Sequence, residues 1–245
     1  MIVLGLDTAT PATSVALLAG TEGGDANGAY AHRLHVPAPG ERPGHATQLL
    51  LLLERVLEES GTDWSEVERL VVGTGPGTFT GLRIGIATAR ALAQARGLPL
   101  LGASTLRALA DAGRQEGDEP DRPVLAVVDA RRGEAFAAAW SAGGGKLLAP
   151  AAVSPGDLRV RIGALPRSPL AVGDGAVRFR SDLARAGAIV PEDDSPLHTV
   201  DAAFHCLRAL RFEPSSVDAV LPDYLRLPDA ELARRRAAAA PTPTP

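Results

Sequence analysis

Two acids sit where this chain could hold a metal or a phosphate. Asp7 closes the apolar run Val3-Leu4-Gly5-Leu6, and Asp129 closes Val124-Leu125-Ala126-Val127-Val128. A carboxylate at the end of a buried strand can hold Mg²⁺, for hydrolysis or for nucleotide phosphates. Two-metal hydrolysis needs several converging carboxylates, and the next apolar run, Leu70-Val71-Val72-Gly73, supplies none, which argues against a nuclease. Two readings stay open for Asp7 and the adjoining Thr8. One is contact with a nucleotide across a cleft, completed by Gly173 and Gly175; the other is a polar turn with a structural role.

The other reactive side chains lack sequence partners. Gly73-Thr74-Gly75-Pro76-Gly77-Thr78-Phe79-Thr80-Gly81 precedes a helix, whose first N–H groups can hold an anion. It lacks the Gly-Lys-Ser/Thr ending of a phosphate loop, and Pro76 between glycines favours a rigid turn. His32 and His35 are three apart on an expected strand and point to opposite faces. No His-x-x-x-His pair seats a metal on one helix face, so no metal site is expected. His45 opens a helix and suits a cap or an interface. Ser14 and Cys206 have no base partner in the sequence, which leaves no catalytic nucleophile and no support for a protease. Arg131-Arg132-Gly133-Glu134 reads as a solvated basic turn, or as a contact for phosphate or a partner's acid.

The elements that must position these residues occur twice. Residues 2–7 and 12–19 form a hairpin, with a third strand at 29–36 after the glycine-rich turn 20–28. A helix over 44–60 is closed by Gly61, a buried strand covers 69–73, a helix spans 80–96, and a short strand at 100–102 leads into a helix capped by Ser104. The same order restarts at Val124, and Leu70-Val71-Val72-Gly73-Thr74-Gly75 has a counterpart in Leu170-Ala171-Val172-Gly173-Asp174-Gly175. Helices are expected over 177–186 and 200–211, and an extended segment over 222–227. The second copy is shorter between its hairpin and its Gly-x-Gly strand, and the missing piece corresponds to the leucine-rich helix. This predicts an α/β protein of two lobes: a first lobe over 1–112, a second, reduced lobe over 122–228, and a tail over 229–245, disordered from about 237, where only Ala, Pro and Thr occur.

Two helices carry more apolar surface than one sheet face can cover. On a wheel, Leu52, Val56, Leu49, Leu53, Leu57 and Leu50 fill an arc of roughly 160°, against the roughly 100° that a surface helix needs. Leu51 falls on the polar side beside Thr47, Glu54 and Glu58. In the helix over 80–96, Gly81, Gly85, Ala89 and Ala93 form a row at spacing four that lets another backbone approach closely, and Arg83, Arg90 and Gln94 share one narrow edge. Either these helices pack on each other inside the lobe, or they also leave an apolar face for another subunit.

Composition narrows the classes further. Apolar residues make up 45% of 245 residues, enough for real cores, and the net charge of −4 gives no global reason to bind nucleic acid. One cysteine and no apolar run near membrane-spanning length point to a reducing, cytoplasmic setting with no membrane anchor.

Ile2 to Thr10, Gly75 to Gly85, Asp129 to Glu134 and Tyr224-Leu225-Arg226 together resemble the bacterial TsaB family, the central segment being the most specific. The resemblance implies a duplicated ribonuclease-H-like fold of the actin/Hsp70 (ASKHA) type. It further implies a non-catalytic subunit that dimerises with the threonylcarbamoyltransferase TsaD, joined by the ATPase TsaE, to make N6-threonylcarbamoyladenosine beside the anticodon of tRNA. The partner interface it implies maps to Leu50, Leu51, Glu54 and Leu57 on one helix and Arg83, Ala87, Arg90 and Gln94 on the other. No cofactor of its own is expected, only a nucleotide at the complex interface; tRNA is met through the complex, and the chain alone should form a weak homodimer. His45-Ala46 departs from the family's His-Ser, and the Ala/Pro/Thr tail lies outside its pattern. The alternative class is a nucleotide-dependent phosphotransferase of the same fold, against which Ala9 stands where phosphate-binding hairpins carry Gly.

Overall fold

The computed structural model describes residues 1–21, 26–38, 40–117, 119–214 and 216–226. The first repeat runs β1 (Ile2–Asp7), β2 (Thr13–Gly20), β3 (Ala26–His35), α1 (His45–Ser60), β4 (Arg69–Gly75), α2 (Phe79–Arg96), β5 (Leu100–Ser104) and α3 (Thr105–Glu116). Its sheet has the order β3-β2-β1-β4-β5, with β1 antiparallel to β2 and parallel to β4. The second repeat runs β6 (Val124–Asp129), β7 (Ala135–Trp140), β8 (Lys146–Val153), α4 (Pro155–Gly163), β9 (Leu170–Val172), α5 (Asp174–Arg178), α6 (Arg180–Arg185) and α7 (Ala203–Ala209), in a sheet of order β8-β7-β6-β9. A parallel bridge from Leu170 to Ile189 stands where β5 stands in the first sheet.

The duplication is more complete than the sequence suggests. The helix expected to be missing from the second repeat is present as α4, capped by Ser154, whose Oγ accepts from the Asp157 N–H, with Pro155 in the first turn. Proline suits the first turn of a helix, where its missing N–H costs nothing. Only Leu158 and Ile162 of α4 point inward, so the periodicity is weak. The single helix expected over 177–186 is two short ones, α5 and α6, which meet at Phe179.

Strand parity decides what each face of the first sheet meets. Leu4, Leu6, Val15, Leu17, Leu70 and Val72 point to the side covered by α1 and α2. Val3, Ala16, Leu18 and Val71 point to the other side, where Ala202, Ala203, Cys206 and Ala209 cover them. The helix on that second side is therefore α7, from the far end of the chain. Conversely, α3 places Leu106, Leu109 and Ala112 in the core beneath the second sheet, with Val124, Ala126, Val128 and Phe136. The lobes thus exchange helices, and the expected boundaries of 1–112 and 122–228 describe the sheets but not their cores. The other face of the second sheet is covered by α4, α5 and α6.

The row of small residues on α2 admits a backbone, and the backbone belongs to this chain. A Cβ on Gly81 would lie 2.0 Å from the Thr8 carbonyl oxygen, and one on Gly85 would lie 2.3 Å from Thr8 Oγ1. Helix α2 is thereby pressed onto the β1–β2 turn, with Thr78 as its N-cap. The 229–245 tail lies outside the described residues. Among those residues no helix is long and apolar enough to cross a membrane.

Candidate functional site

The two over-apolar helices lie side by side on one face of the first sheet. Helix α1 turns Leu49, Leu52, Leu53, Val56 and Leu57 into the core. What remains outside is Leu50, 51% exposed, Leu51, 48% exposed, and the exposed Glu54. Leu57, which the resemblance placed at the interface, is instead a core residue, on the inward side of the apolar arc with Leu49, Leu53 and Val56. On α2 the exposed residues Arg83, Ala87 and Gln94 line up with the half-buried Arg90, which pairs with Asp218 at 2.5 Å. Covering the exposed half of such a leucine returns roughly 1 kcal/mol.

A strap from the end of the described chain frames this face. The Arg83 guanidinium lies 3.7 Å above the Phe79 ring, and that ring stacks on Tyr224 with centroids 5.4 Å apart. The Asp223 N–H donates to the Thr74 carbonyl at 2.8 Å. Arg226 then donates to Glu134 Oε2 at 2.7 Å and to the Ala130 carbonyl at 2.8 Å. Three separate sequence motifs are therefore one assembly: the glycine-rich turn, the Asp129–Glu134 turn and Tyr224-Leu225-Arg226. The turn is folded by Asp129, whose Oδ1 accepts from the Arg131 N–H at 2.8 Å, with Arg131, Arg132 and Gly133 all at positive φ.

Asp7 is not available to a ligand in this arrangement. It is 1% exposed; Oδ1 accepts from the Ala9 N–H at 2.7 Å, while Oδ2 accepts from Thr105 Oγ1 at 2.9 Å and meets His205 Nε2 at 2.8 Å. Thr8 is equally sealed, and its hydroxyl donates to the Gly81 carbonyl at 2.7 Å. The nucleotide-contact reading of both residues is corrected to a structural one. Sequence reasoning missed His205 because 198 positions separate it from Asp7. Parity was the usable signal: Asp7 shares the face of Val3 and Gly5, which is the face α7 covers.

The corresponding place in the second repeat is similarly filled. A Cβ on Gly173 would lie 2.3 Å from the Val127 carbonyl oxygen, and one on Gly175 would lie 2.8 Å from the Val128 carbonyl carbon. Both glycines therefore serve close packing on β6. Asp174, between them, accepts from the Asp129 N–H at 3.1 Å. Burial, reinforced by the Asp129 carboxylate, pushes the Asp174 carboxyl up to about 6.

Comparison with known proteins places the chain in a family. The family model of TsaD, tRNA N6-adenosine threonylcarbamoyltransferase, matches residues 37–160, which include α1, α2 and the second hairpin. An uncharacterised protein of Mycobacterium tuberculosis is 30% identical over 248 residues, covering 94% of this chain and 93% of that one. The chain belongs to the TsaD/TsaB family. The tRNA threonylcarbamoyladenosine biosynthesis protein TsaB of Escherichia coli is 39% identical over 137 residues, covering 56% of this chain and 53% of that protein. The chain thus spans about half the length of the TsaB relatives it matches. Among solved structures, YeaZ from Pseudomonas aeruginosa superposes with a TM-score of 0.69 at 28% identity, over 91% of this chain and all of that one. The ethanolamine utilization protein EutJ from Carboxydothermus hydrogenoformans, at 15% identity and a TM-score of 0.51, shares the fold.

The remaining reactive residues of this family member are also occupied. His45 is buried at the start of α1, where its Nδ1 meets Thr13 Oγ1 at 2.8 Å and its ring makes no cap. Burial holds its pKa below the ordinary histidine value. Ser14 does acquire a histidine, His32, at 3.3 Å, and His32 in turn faces Asp201 at 3.5 Å. Serine and aspartate meet the same ring nitrogen, Nε2, so no relay across the imidazole can form. Ser14 is 1% exposed and its Oγ accepts from the Ala202 N–H at 2.9 Å. Cys206 is buried beneath Gly5, and burial raises its thiol far above the reactive range. Among the described residues no group of three or more His, Cys, Asp and Glu could hold a metal ion.

Proposed function

We propose that this chain is a partner subunit without an active site of its own. It docks a TsaD-type catalytic subunit through the outward face of α1 and α2, and so serves formation of N6-threonylcarbamoyladenosine in tRNA. The observation that carries the reading is the pair Leu50 and Leu51, half exposed on a helix whose other four leucines and Val56 are sealed in the core. Relatives bearing the TsaB name, and a family model that spans both helices, support it. On this reading a TsaE-type ATPase joins the pair, and any nucleotide in the complex is held by the partners' groups, since Asp7 and Thr8 are committed to internal bonds.

The test is co-purification with TsaD-type and TsaE-type proteins of the same organism. A stable complex with the former is expected, weakened at least tenfold by Leu51→Glu; absence of association at micromolar concentrations overturns the reading. The phosphotransferase alternative requires the isolated chain to bind ATP with Mg²⁺. Calorimetry is expected to register no saturable heat, and a saturable signal lost in Asp7→Asn would restore that alternative.

A further inference from the structure

A cavity of about 410 Å³ lies between α3 and the end of α7, away from the α1–α2 face, and its wall is basic. Arg107, Arg114, Arg208 and Arg211 converge on it, with Asp111 as the one carboxylate among its lining residues and Phe212 beside them. Arg107, Arg114 and Arg208 share this one acid, which leaves two positive charges among them in a chain whose net charge is −4. The arrangement is built rather than incidental. Arg107 Nε donates to both oxygens of Asp111 at 2.9 and 3.0 Å, and Arg114 Nη1 donates to the same carboxylate at 3.0 Å. Their other nitrogens grip the β7–β8 turn, at the Gly144 carbonyl (3.1 Å) and the Ala142 carbonyl (2.9 Å). Arg208 reaches Asp111 at 3.6 Å and lies 4.8 Å above the Phe212 ring.

Asp111 cannot neutralise three guanidinium groups at once, and these side chains are only 21–28% exposed, so water screens their mutual repulsion poorly. Burial lowers the Arg208 pKa, and the positive charge of the neighbouring Arg107 lowers it further. An anion entering the cavity relieves it. Planar forks suit a phosphate that presents two oxygens, and fixing them in advance lowers the ordering cost of binding. The exposed half of the Phe212 ring offers a flat apolar surface for a base beside that phosphate.

We infer that the arginine pocket between α3 and α7 binds the phosphodiester backbone of RNA. This rests on the proposed role in tRNA modification and goes beyond it, giving this chain an RNA contact of its own within the complex. The cluster escapes the sequence because Arg107 and Arg114 lie about a hundred positions from Arg208 and Arg211.

The test measures labelled tRNA binding by the assembled complex from about 50 to about 250 mM salt, comparing wild type with Arg208→Gln/Arg211→Gln and with Arg159→Gln on α4 as control. The double variant should bind at least fivefold more weakly, and its log–log salt dependence should be shallower by about one to two, the loss of one or two phosphate contacts. The control should match wild type. Unchanged affinity and slope in a complex that assembles overturns the inference and leaves the partner role intact. If the complex does not assemble, that role fails, and the same comparison on the isolated chain decides this one. If the double variant loses binding of ATP or inorganic phosphate while tRNA affinity holds, the pocket serves a small anion and the RNA assignment is wrong. Should the double variant not fold, Arg208→Gln alone carries the comparison.

Discussion

At the residue scale the decisive pair is Asp7 and His205, 1% and 0% exposed. Removing one member of a buried pair strands the other without water or partner, a cost of about 3–5 kcal/mol. Asp7→Ala should therefore lower stability by about 3 kcal/mol or more, read as a fall in the urea midpoint. A ligand-binding acid behaves in the opposite way, so an unchanged midpoint would reinstate the nucleotide reading. Asp174 makes a pH-dependent case. Its carboxyl is raised from 3.8 to about 6, so between those values the folded state holds more protons than the unfolded one. Stability from this group is thus greatest at low pH and falls as pH rises from about 4 to about 6. Asp174→Asn should be more stable than wild type at pH 7.5, by on the order of 1–2 kcal/mol given partial solvent access, and equal to it near pH 4. A difference that persists unchanged at pH 4 would remove burial of charge as the cause. The sequence placed Asp7 at a strand end, Thr8 in the turn after it, and Gly173 and Gly175 where a strand breaks into a helix, as the structure does. It could not assign their roles, because those are set by residues brought in from far along the chain.

At the element scale, α1 and α2 were legible to a residue or two, since a leucine-rich arc and glycine stops leave little choice: Gly61 and Gly97 close them at φ 64° and 65°. The wheel put both Leu50 and Leu57 in its apolar arc, and the resemblance put both on the partner face; packing on the sheet seals Leu57 in the core and leaves Leu50 half exposed. This sharpens the mutational prediction. Leu51→Glu should change monomer stability by less than about 0.5 kcal/mol, as an exposed substitution does, whereas Leu57→Glu should unfold the chain. Equal thermal midpoints for the two variants would contradict the assigned face. The exposed leucines should also drive weak self-association of the isolated chain, lost in Leu50→Glu/Leu51→Glu; a sedimentation profile identical for wild type and variant would count against it. Helix α4 shows the reverse limit, for two inward residues are too few to raise a periodic signal.

At the scale of the molecule, the repeat revealed two sheets but not which helices cover them. Helix α7 closes the first sheet over Val3, Ala16, Leu18 and Val71, and α3 closes the second over Val124, Ala126 and Val128. Each lobe thus borrows a helix from the other half of the chain. Buried polar contacts follow the same crossing: Asp7 to His205, Ser14 to the Ala202 N–H, and Arg69 to the Phe212 carbonyl at 2.9 Å beyond the end of α7. Neither sheet can then be buried without the complete chain, and the two should melt together. A fragment of residues 1–116 lacks α7 and is expected to show no cooperative unfolding, while the complete chain should give one calorimetric transition with equal van't Hoff and calorimetric enthalpies. Two resolved transitions, or a fragment that melts sharply, would mean that the borrowed helices are dispensable. The same coupling bears on the proposed partner face: α1 and α2 press on a sheet whose other side rests on α7, so Asp7→Ala should weaken partner binding through lost order even though Asp7 lies on the opposite side of the sheet from α1. Partner affinity that holds while the urea midpoint falls would instead show that the face is set by α1 and α2 alone.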